Sequence, residues 1–159
     1  MKQKEILLFG ATGQIGRNLI RKLTKNNYKI IAVTRNIHRA GYILKTQANP
    51  GYLELVELKN FNIGKLDELM KRCTVCINLI GILFEKKQYS FKTIHTVLPD
   101  MLSKLANENN IDKFIHLSAL GIEKALDSNY ALSKLSGEKK VRQNFPSSVI
   151  LKPSIVFLM

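Results

Sequence analysis

Glu5-Ile-Leu-Leu-Phe9 runs directly into Gly10-Ala-Thr-Gly13-Gln-Ile-Gly16, a short apolar run followed by three glycines at three-residue spacing. Beyond them Ile15, Leu19, Ile20 and Leu23 recur at helical period, so the stretch reads as strand, tight turn and helix. Each glycine has its own task in such an opening. One permits the sharp turn, one lets backbone approach a pyrophosphate, and one lets the helix pack against the strand. Phosphate oxygens then meet unpaired N–H groups at the positive end of the helix dipole. A glycine-rich turn alone also describes a flexible surface loop; the strand before it and the helix after it favour the phosphate cradle.

Working outward, Tyr28 to Thr34 reads as a second strand ending at Arg35-Asn36. In a fold of this kind a carboxylate near that tip bonds the adenosine ribose of NAD, whereas an arginine accommodates the extra phosphate of NADP. No Asp or Glu occurs between Ile6 and Leu53, while Arg17, Arg21, Lys22, Lys25, Lys29, Arg35, Arg39 and Lys45 do. A carboxylate would repel a ribose phosphate, and a guanidinium can take two of its oxygens. NADP(H) is therefore favoured, with NAD(H) as the alternative. The competing reading of Arg35 is a solvated residue past a strand end.

The remainder alternates strand and helix. Residues 36–47 hold a short helix closed by Asn49-Pro50-Gly51, Tyr52 to Leu58 a third strand, and Ile63 to Arg72 a helix with Leu66, Leu69 and Met70 on one face. Thr74 to Ile80 is almost wholly apolar, as a parallel strand buried on both faces should be, and ends at Gly81. A polar loop, 81–90, leads to a long helix from Phe91 to Asn110 in which Pro99 predicts a kink or a split. Lys113 to Ala119 is strand five, Ser128 to Asn144 the last helix, and Val149 to Phe157 strand six, interrupted by Pro153. The order predicts an α/β fold with a doubly wound parallel sheet, in one domain over residues 1–159.

Composition narrows the function classes. A chain of 159 residues with 45% hydrophobic residues suits one globular domain. No apolar run reaches the roughly 18 residues a membrane span needs, and the segment after Met1-Lys-Gln-Lys-Glu5 is too short for a secretory signal; a cytoplasmic protein is expected. Cys73 and Cys76 form a CxxC pair without a second pair, and Cys76 lies in an apolar run, so a buried strand thiol is expected there and no metal site. The net charge of +13 favours attraction to phosphate in general. The lysines are scattered, without an arginine-rich block or interleaved aromatics, so no specific nucleic-acid partner is expected.

Tyr130-Ala-Leu-Ser-Lys134 carries the candidate chemistry, because its spacing puts phenol and ammonium on one helix face, one turn apart. A nearby cation stabilises a phenolate and lowers the tyrosine pKa from its reference of about 10. The tyrosine would then exchange a proton with a carbonyl while hydride moves, and the lysine would hold ribose hydroxyls. The plainer reading is a half-buried tyrosine beside a solvated lysine.

The residues 9–23 (FGATGQIGRNLIRKL), 77–83 (INLIGIL), 113–121 (KFIHLSALG), 130–146 (YALSKLSGEKKVRQNFP) and 150–157 (ILKPSIVF) together resemble an atypical, extended-type short-chain dehydrogenase/reductase with an epimerase/dehydratase-like Rossmann domain. Within that superfamily they most resemble the branch of the NAD(P)H-binding accessory subunit of respiratory complex I. The resemblance implies a bound NADP(H), with Gly10, Thr12, Gly13, Gln14, Ile15 and Gly16 at the phosphates and Arg35 with Asn36 at the adenosine end. It implies Gly81, Lys134, Pro153 and Ser154 along the nicotinamide half, and Tyr130, Lys134 and Ser118 as the catalytic set. It implies complex I subunits as partners and a location peripheral to the inner membrane through a protein.

The pattern departs from the family in three ways. Alignment of KFIHLSA leaves the polarising hydroxyl between Ser118 and Ala119; Leu58-Lys59-Asn60 lacks the acidic residue many relatives have near the adenine; and relatives continue into a smaller substrate-covering domain, whereas this chain stops at Met159. The readings are then a dinucleotide-binding protein with structural or assembly duties, an active reductase or nucleotide-sugar epimerase/dehydratase, and a basic phosphate-polymer binder.

Overall fold

A computed structural model describes residues 5–154. The element order is β1 (Glu5–Phe9), α1 (Gln14–Lys25), β2 (Lys29–Thr34), α2 (Ile37–Leu44), β3 (Leu53–Glu57), α3 (Ile63–Arg72) and β4 (Val75–Asn78). A π-helical segment (Lys92–Val97), α4 (Leu98–Glu108), β5 (Lys113–Leu117), a short 3-10 turn (Ile122–Lys124), α5 (Asn129–Asn144) and β6 (Val149–Leu151) follow. The six strands are all parallel, in the order β3-β2-β1-β4-β5-β6. This is the doubly wound Rossmann arrangement the alternation predicts. Winding reverses between β1 and β4, where Ile6 lies beside Val75 and Phe9 beside Asn78, and that reversal opens a crevice at the carboxyl ends of the two strands.

Two apolar layers sandwich the sheet. Leu7, Phe9, Cys76 and Phe114 pack against Leu66, Met70, Leu102 and Val141 of α3, α4 and α5. On the opposite face Ile6, Leu8, Ile30, Ala32 and Ile77 pack against Ile20 of α1 and Ala40 and Leu44 of α2. This second layer covers the β3–β4 part of the sheet, and beyond it Val149 and Leu151 of β6 are exposed.

Local sequence sets the helix ends. Asn36, Asn62 and Ser128 accept hydrogen bonds from the backbone N–H groups of Arg39, Lys65 and Ala131, capping α2, α3 and α5. The pairs Asn26-Asn27 and Asn109-Asn110 follow α1 and α4, and the second residue of each is left-handed, which asparagine tolerates better than most residues.

The split expected at Pro99 is present, and two strand ends differ from the expected ones. The helix expected over Phe91 to Asn110 is split, and the π-helical segment ends just before Pro99. Proline has no N–H to give the carbonyl of His95 four residues earlier, so the backbone widens, and Leu98 N–H donates to the carbonyl of Thr93 five residues back. Strand six ends at Leu151: Lys152, Pro153 and Ser154 are not strand, and the rest of the expected extension, residues 155–157, lies outside the described residues. Strand five stops at Leu117, before Ser118 and Ala119. Cys76 is a free, buried thiol, as expected, and Cys73 is buried too; burial pushes Cys73 up to about 12 and raises Cys76 as well.

Candidate dinucleotide site

The opening turn is built as its sequence requires. Gly10 has a φ of +81°, and a Cβ there would stand 2.9 Å from the carbonyl carbon of Leu79 on the β4 exit. At Gly16 a Cβ would come within 2.5 Å of the Gly10 carbonyl oxygen, so helix and turn could not close together. Gly13 differs, since a Cβ there would meet only the Gly10 carbonyl, at 3.4 Å. Packing alone does not demand glycine at 13. A glycine there keeps the start of α1 bare, which suits an approaching pyrophosphate. Gly13 N–H donates to the Gly10 carbonyl, and Arg17 N–H to that of Gly13; the first turn of α1 carries no acidic residue. Thr12 and Gly13 are exposed, Gln14 and Ile15 half-buried and Gly16 buried. These features fit a dinucleotide phosphate.

Arg35, expected at the adenosine end, is exposed, and none of the ion pairs among the described residues engages it. Its guanidinium lies over the ring of Tyr89, 4.8 Å from the centroid. Asn36 has a structural task as the cap of α2, its side chain accepting from Arg39 N–H at 2.9 Å.

Gly81, Tyr130 and Lys134, expected along the nicotinamide half, lie near one another around His95. Lys134 is 5% exposed, and its ammonium donates to the Leu117 carbonyl at 3.3 Å. A Cβ at Gly81 would stand 3.3 Å from Lys134 Nζ, so the glycine leaves room beside that amine. Burial lowers the Lys134 pKa to about 8, against an upward pull from Glu138. Tyr130 is half-buried, and burial raises its pKa. This reverses the expected lowering by Lys134: the amine is turned inward to the strand carbonyl, and desolvation dominates at the phenol.

Ser118 is 4% exposed and donates to Glu138 Oε1 at 2.5 Å, while Glu138 Oε2 pairs with Lys152 Nζ at 3.1 Å. The hydroxyl is thus committed to a buried carboxylate. The same network ties β5 and α5 to the segment after β6, where Leu120 N–H donates to the Pro153 carbonyl. That holds Pro153 and Ser154 at the sheet end from which Gly81 also emerges.

His95, which the sequence reading passes over, proves central. Its Nε2 accepts from Ile82 N–H at 3.1 Å, so Nδ1 carries the proton and donates to Ser133 Oγ at 3.0 Å; Ser133 in turn donates to the Tyr130 carbonyl at 2.7 Å. The ring stacks on Phe91 and meets Tyr130 edge-on, with centroids 5.5 and 5.2 Å away. Burial, then the charge of Lys134, lowers its pKa to about 4. A neutral imidazole therefore joins the loop after Gly81 to the start of α5. Nothing in the local pattern marks it, because His95 stands among Lys92, Thr93 and Thr96 in the sequence. Deeper, Asn78 accepts from Ile80 N–H and donates to His116 Nδ1, leaving the protonated Nε2 of His116 buried without a partner among the described residues. Burial lowers the His116 pKa to about 3.

A wide hollow of about 900 Å³ lies elsewhere, between α2 and β3, lined by Ile37, Tyr42, Lys45, Leu53 and Leu55. It is open, and none of the candidate site residues lines it.

The family model for the NAD dependent epimerase/dehydratase family matches residues 6–149. The chain is 27% identical over 150 residues to the NADH-ubiquinone oxidoreductase 40 kDa subunit, mitochondrial, of Neurospora crassa. It is 29% identical over 150 residues to the NADH dehydrogenase [ubiquinone] 1 alpha subcomplex subunit 9, mitochondrial, of Mus musculus. Each match covers 94% of this chain and 40% of the relative, so the chain spans well under half the length of these proteins. Among solved structures, UDP-glucuronic acid 4-epimerase from Bacillus cereus in complex with NAD superposes with a TM-score of 0.76 and 25% identity, over 96% of this chain and 57% of the epimerase. Among the described residues no helix is long and apolar enough to cross a membrane. With the sheet order and the glycine turn in agreement, the chain belongs to the NAD dependent epimerase/dehydratase family.

Proposed function

We propose that this chain is an NADP(H)-holding Rossmann domain with a structural or assembly duty beside respiratory complex I, and with little or no turnover. The observation that carries the reading is the inward commitment of the polar groups: Ser118 donates to Glu138 and Lys134 to the Leu117 carbonyl. A hydroxyl so engaged does not polarise a substrate carbonyl, and a phenol whose pKa is raised by burial is a weaker acid that holds little phenolate near neutral pH. The likeness to the Neurospora and mouse subunits supports a partner in complex I and a position peripheral to the inner membrane through that partner.

When bound, the dinucleotide supplies a hydride donor or acceptor. In this reading Gly10, Thr12, Gly13, Gln14, Ile15 and Gly16 hold its phosphates, Arg35 its adenosine phosphate, and Gly81, Lys134, Pro153 and Ser154 line the nicotinamide half. Asn36 shapes the adenosine end by capping α2. A ligand that binds only the native state stabilises it by about 2.7 kcal/mol at a hundredfold excess over Kd. NADPH at that level is expected to raise the melting temperature by roughly 5–10 °C, and NADH at equal concentration by much less. Equal shifts, or none, would sink the Arg35 argument.

Replacement of Tyr130 by Phe tests the alternative, an NADPH-dependent reductase or nucleotide-sugar epimerase/dehydratase with Tyr130 as proton donor and Lys134 as its support. Under the structural reading, the variant keeps the NADPH-induced shift within about 1 °C and there is no activity to lose; measurable parental turnover abolished by Tyr130→Phe would favour the enzyme. Salt-sensitive retention on DNA without any dinucleotide effect would favour the third reading, a phosphate-polymer binder.

A further inference from the structure

Tyr89 reaches Arg35 from another part of the chain, its ring lying under the guanidinium. It lies in the connection after β4 and is half-buried there. Its backbone is fixed by a reciprocal pair of hydrogen bonds, Lys86 N–H to the Tyr89 carbonyl at 3.0 Å and Tyr89 N–H to the Lys86 carbonyl at 2.9 Å. Glu85 pins the same connection by accepting from Phe91 N–H at 2.7 Å. Arg35 follows the last residue of β2. In the sheet β1 stands between β2 and β4, so these two connections flank the glycine turn, about 10 Å apart by strand spacing. The Arg35–Tyr89 contact joins them at the crevice.

We infer that Tyr89 is a specificity-determining residue of the dinucleotide site: it positions Arg35 for the ribose phosphate that distinguishes NADP(H) from NAD(H). This rests on the NADP(H) reading above. A free arginine side chain at a strand tip samples many rotamers and loses that freedom on binding. Here the aromatic face attracts the guanidinium and holds it in place, and its N–H donors remain to serve phosphate oxygens. No described carboxylate forms an ion pair with Arg35, so the ring orients the cation without neutralising it. Two signals, the hairpin-like turn at Lys86–Tyr89 and the missing acid at the β2 tip, thus serve one task.

The test titrates NADPH and NADH into the parent chain, Tyr89→Leu, Tyr89→Phe and Arg35→Leu, reading cofactor fluorescence. In Tyr89→Leu the NADPH Kd should rise about three- to fivefold with the NADH Kd unchanged. Tyr89→Phe should restore the parental preference, because the ring face remains. In an Arg35→Leu background the Tyr89→Leu change should have no further effect on the preference. If the parent prefers NADPH and Tyr89→Leu leaves that preference intact, or weakens both cofactors equally, the role of Tyr89 is overturned and the NADP(H) reading stands. If the parent shows no preference, the NADP(H) reading itself falls, and the role of Tyr89 with it.

Discussion

Replacing Gly137 by alanine is expected to lower the melting temperature by roughly 10 °C or to prevent folding, the largest loss predicted for any single methyl group added to this chain. Gly137 lies on α5 where that helix crosses the π-helical segment, and a Cβ there would overlap the carbonyl oxygen of His95 outright and stand 3.0 Å from its carbonyl carbon. Nothing flexible is available to yield, because the obstructing atoms are backbone. The helices would have to separate, opening the layer that buries Val141, Leu98 and Leu102 and disturbing the His95–Ser133–Tyr130 chain. Overpacking of this kind costs about 3 kcal/mol. A matched control is Gly41→Ala in α2, where the added Cβ would meet Lys45 Cε at 3.7 Å and Leu55 Cδ1 at 3.9 Å, ordinary contacts. That variant should gain about 0.5–1 kcal/mol from helix propensity. Thermal unfolding of the two side by side decides the matter: a Gly137→Ala protein melting within about 2 °C of the parent would mean that α5 is not packed this closely.

Stability is expected to fall steeply as pH drops below about 6.5, through the two buried histidines. Both have native pKa values lowered by burial, to about 4 for His95 and about 3 for His116. Between those values and 6.5 the unfolded chain binds protons that the native chain does not, so lowering the pH favours unfolding, and the loss is complete only below the native values. For His116 the displacement corresponds to on the order of 5 kcal/mol. Glu54, held down chiefly by its hydrogen bond to Arg72, loses stability in the same direction as it protonates, so the total slope alone does not identify the histidine. His116→Asn does. It keeps an acceptor toward the Asn78 amide and removes the unpartnered Nε2–H, so melting temperature should change less between pH 6.5 and pH 4 than in the parent. An unchanged slope would mean that His116 is not buried in the neutral form.

The histidines and Gly137 also mark where sequence reading gave out. Strand periods, glycine spacing and the run Thr74 to Ile80 sufficed for the parallel sheet, because a strand buried on both faces must be apolar whatever its neighbours are. The opening turn was equally legible, since Gly10 and Gly16 are demanded by contacts within or beside their own turn. The helix Ile63–Arg72 has the boundaries its amphipathic pattern predicts. Gly137 was silent: within a helix a glycine reads as a modest loss of propensity, and its meaning lies in a carbonyl some forty residues earlier.

The same division runs through the site. Tyr130 and Lys134 share a helix face by spacing alone. Yet the direction of their pKa shifts depends on what surrounds them, and desolvation raises the phenol and lowers the amine. Ser118 could be read beside Ala119 as a candidate hydroxyl, but its bond to Glu138 comes from bringing β5 against α5. Arg35 stood out by the absence of acids around it, whereas its companion Tyr89 lies fifty-four positions along the chain and meets it only because β1 separates β2 from β4 in the sheet. Local pattern determines elements because backbone geometry is periodic. Contacts between elements follow from the order in which strands pair, which brings together residues that no spacing relates.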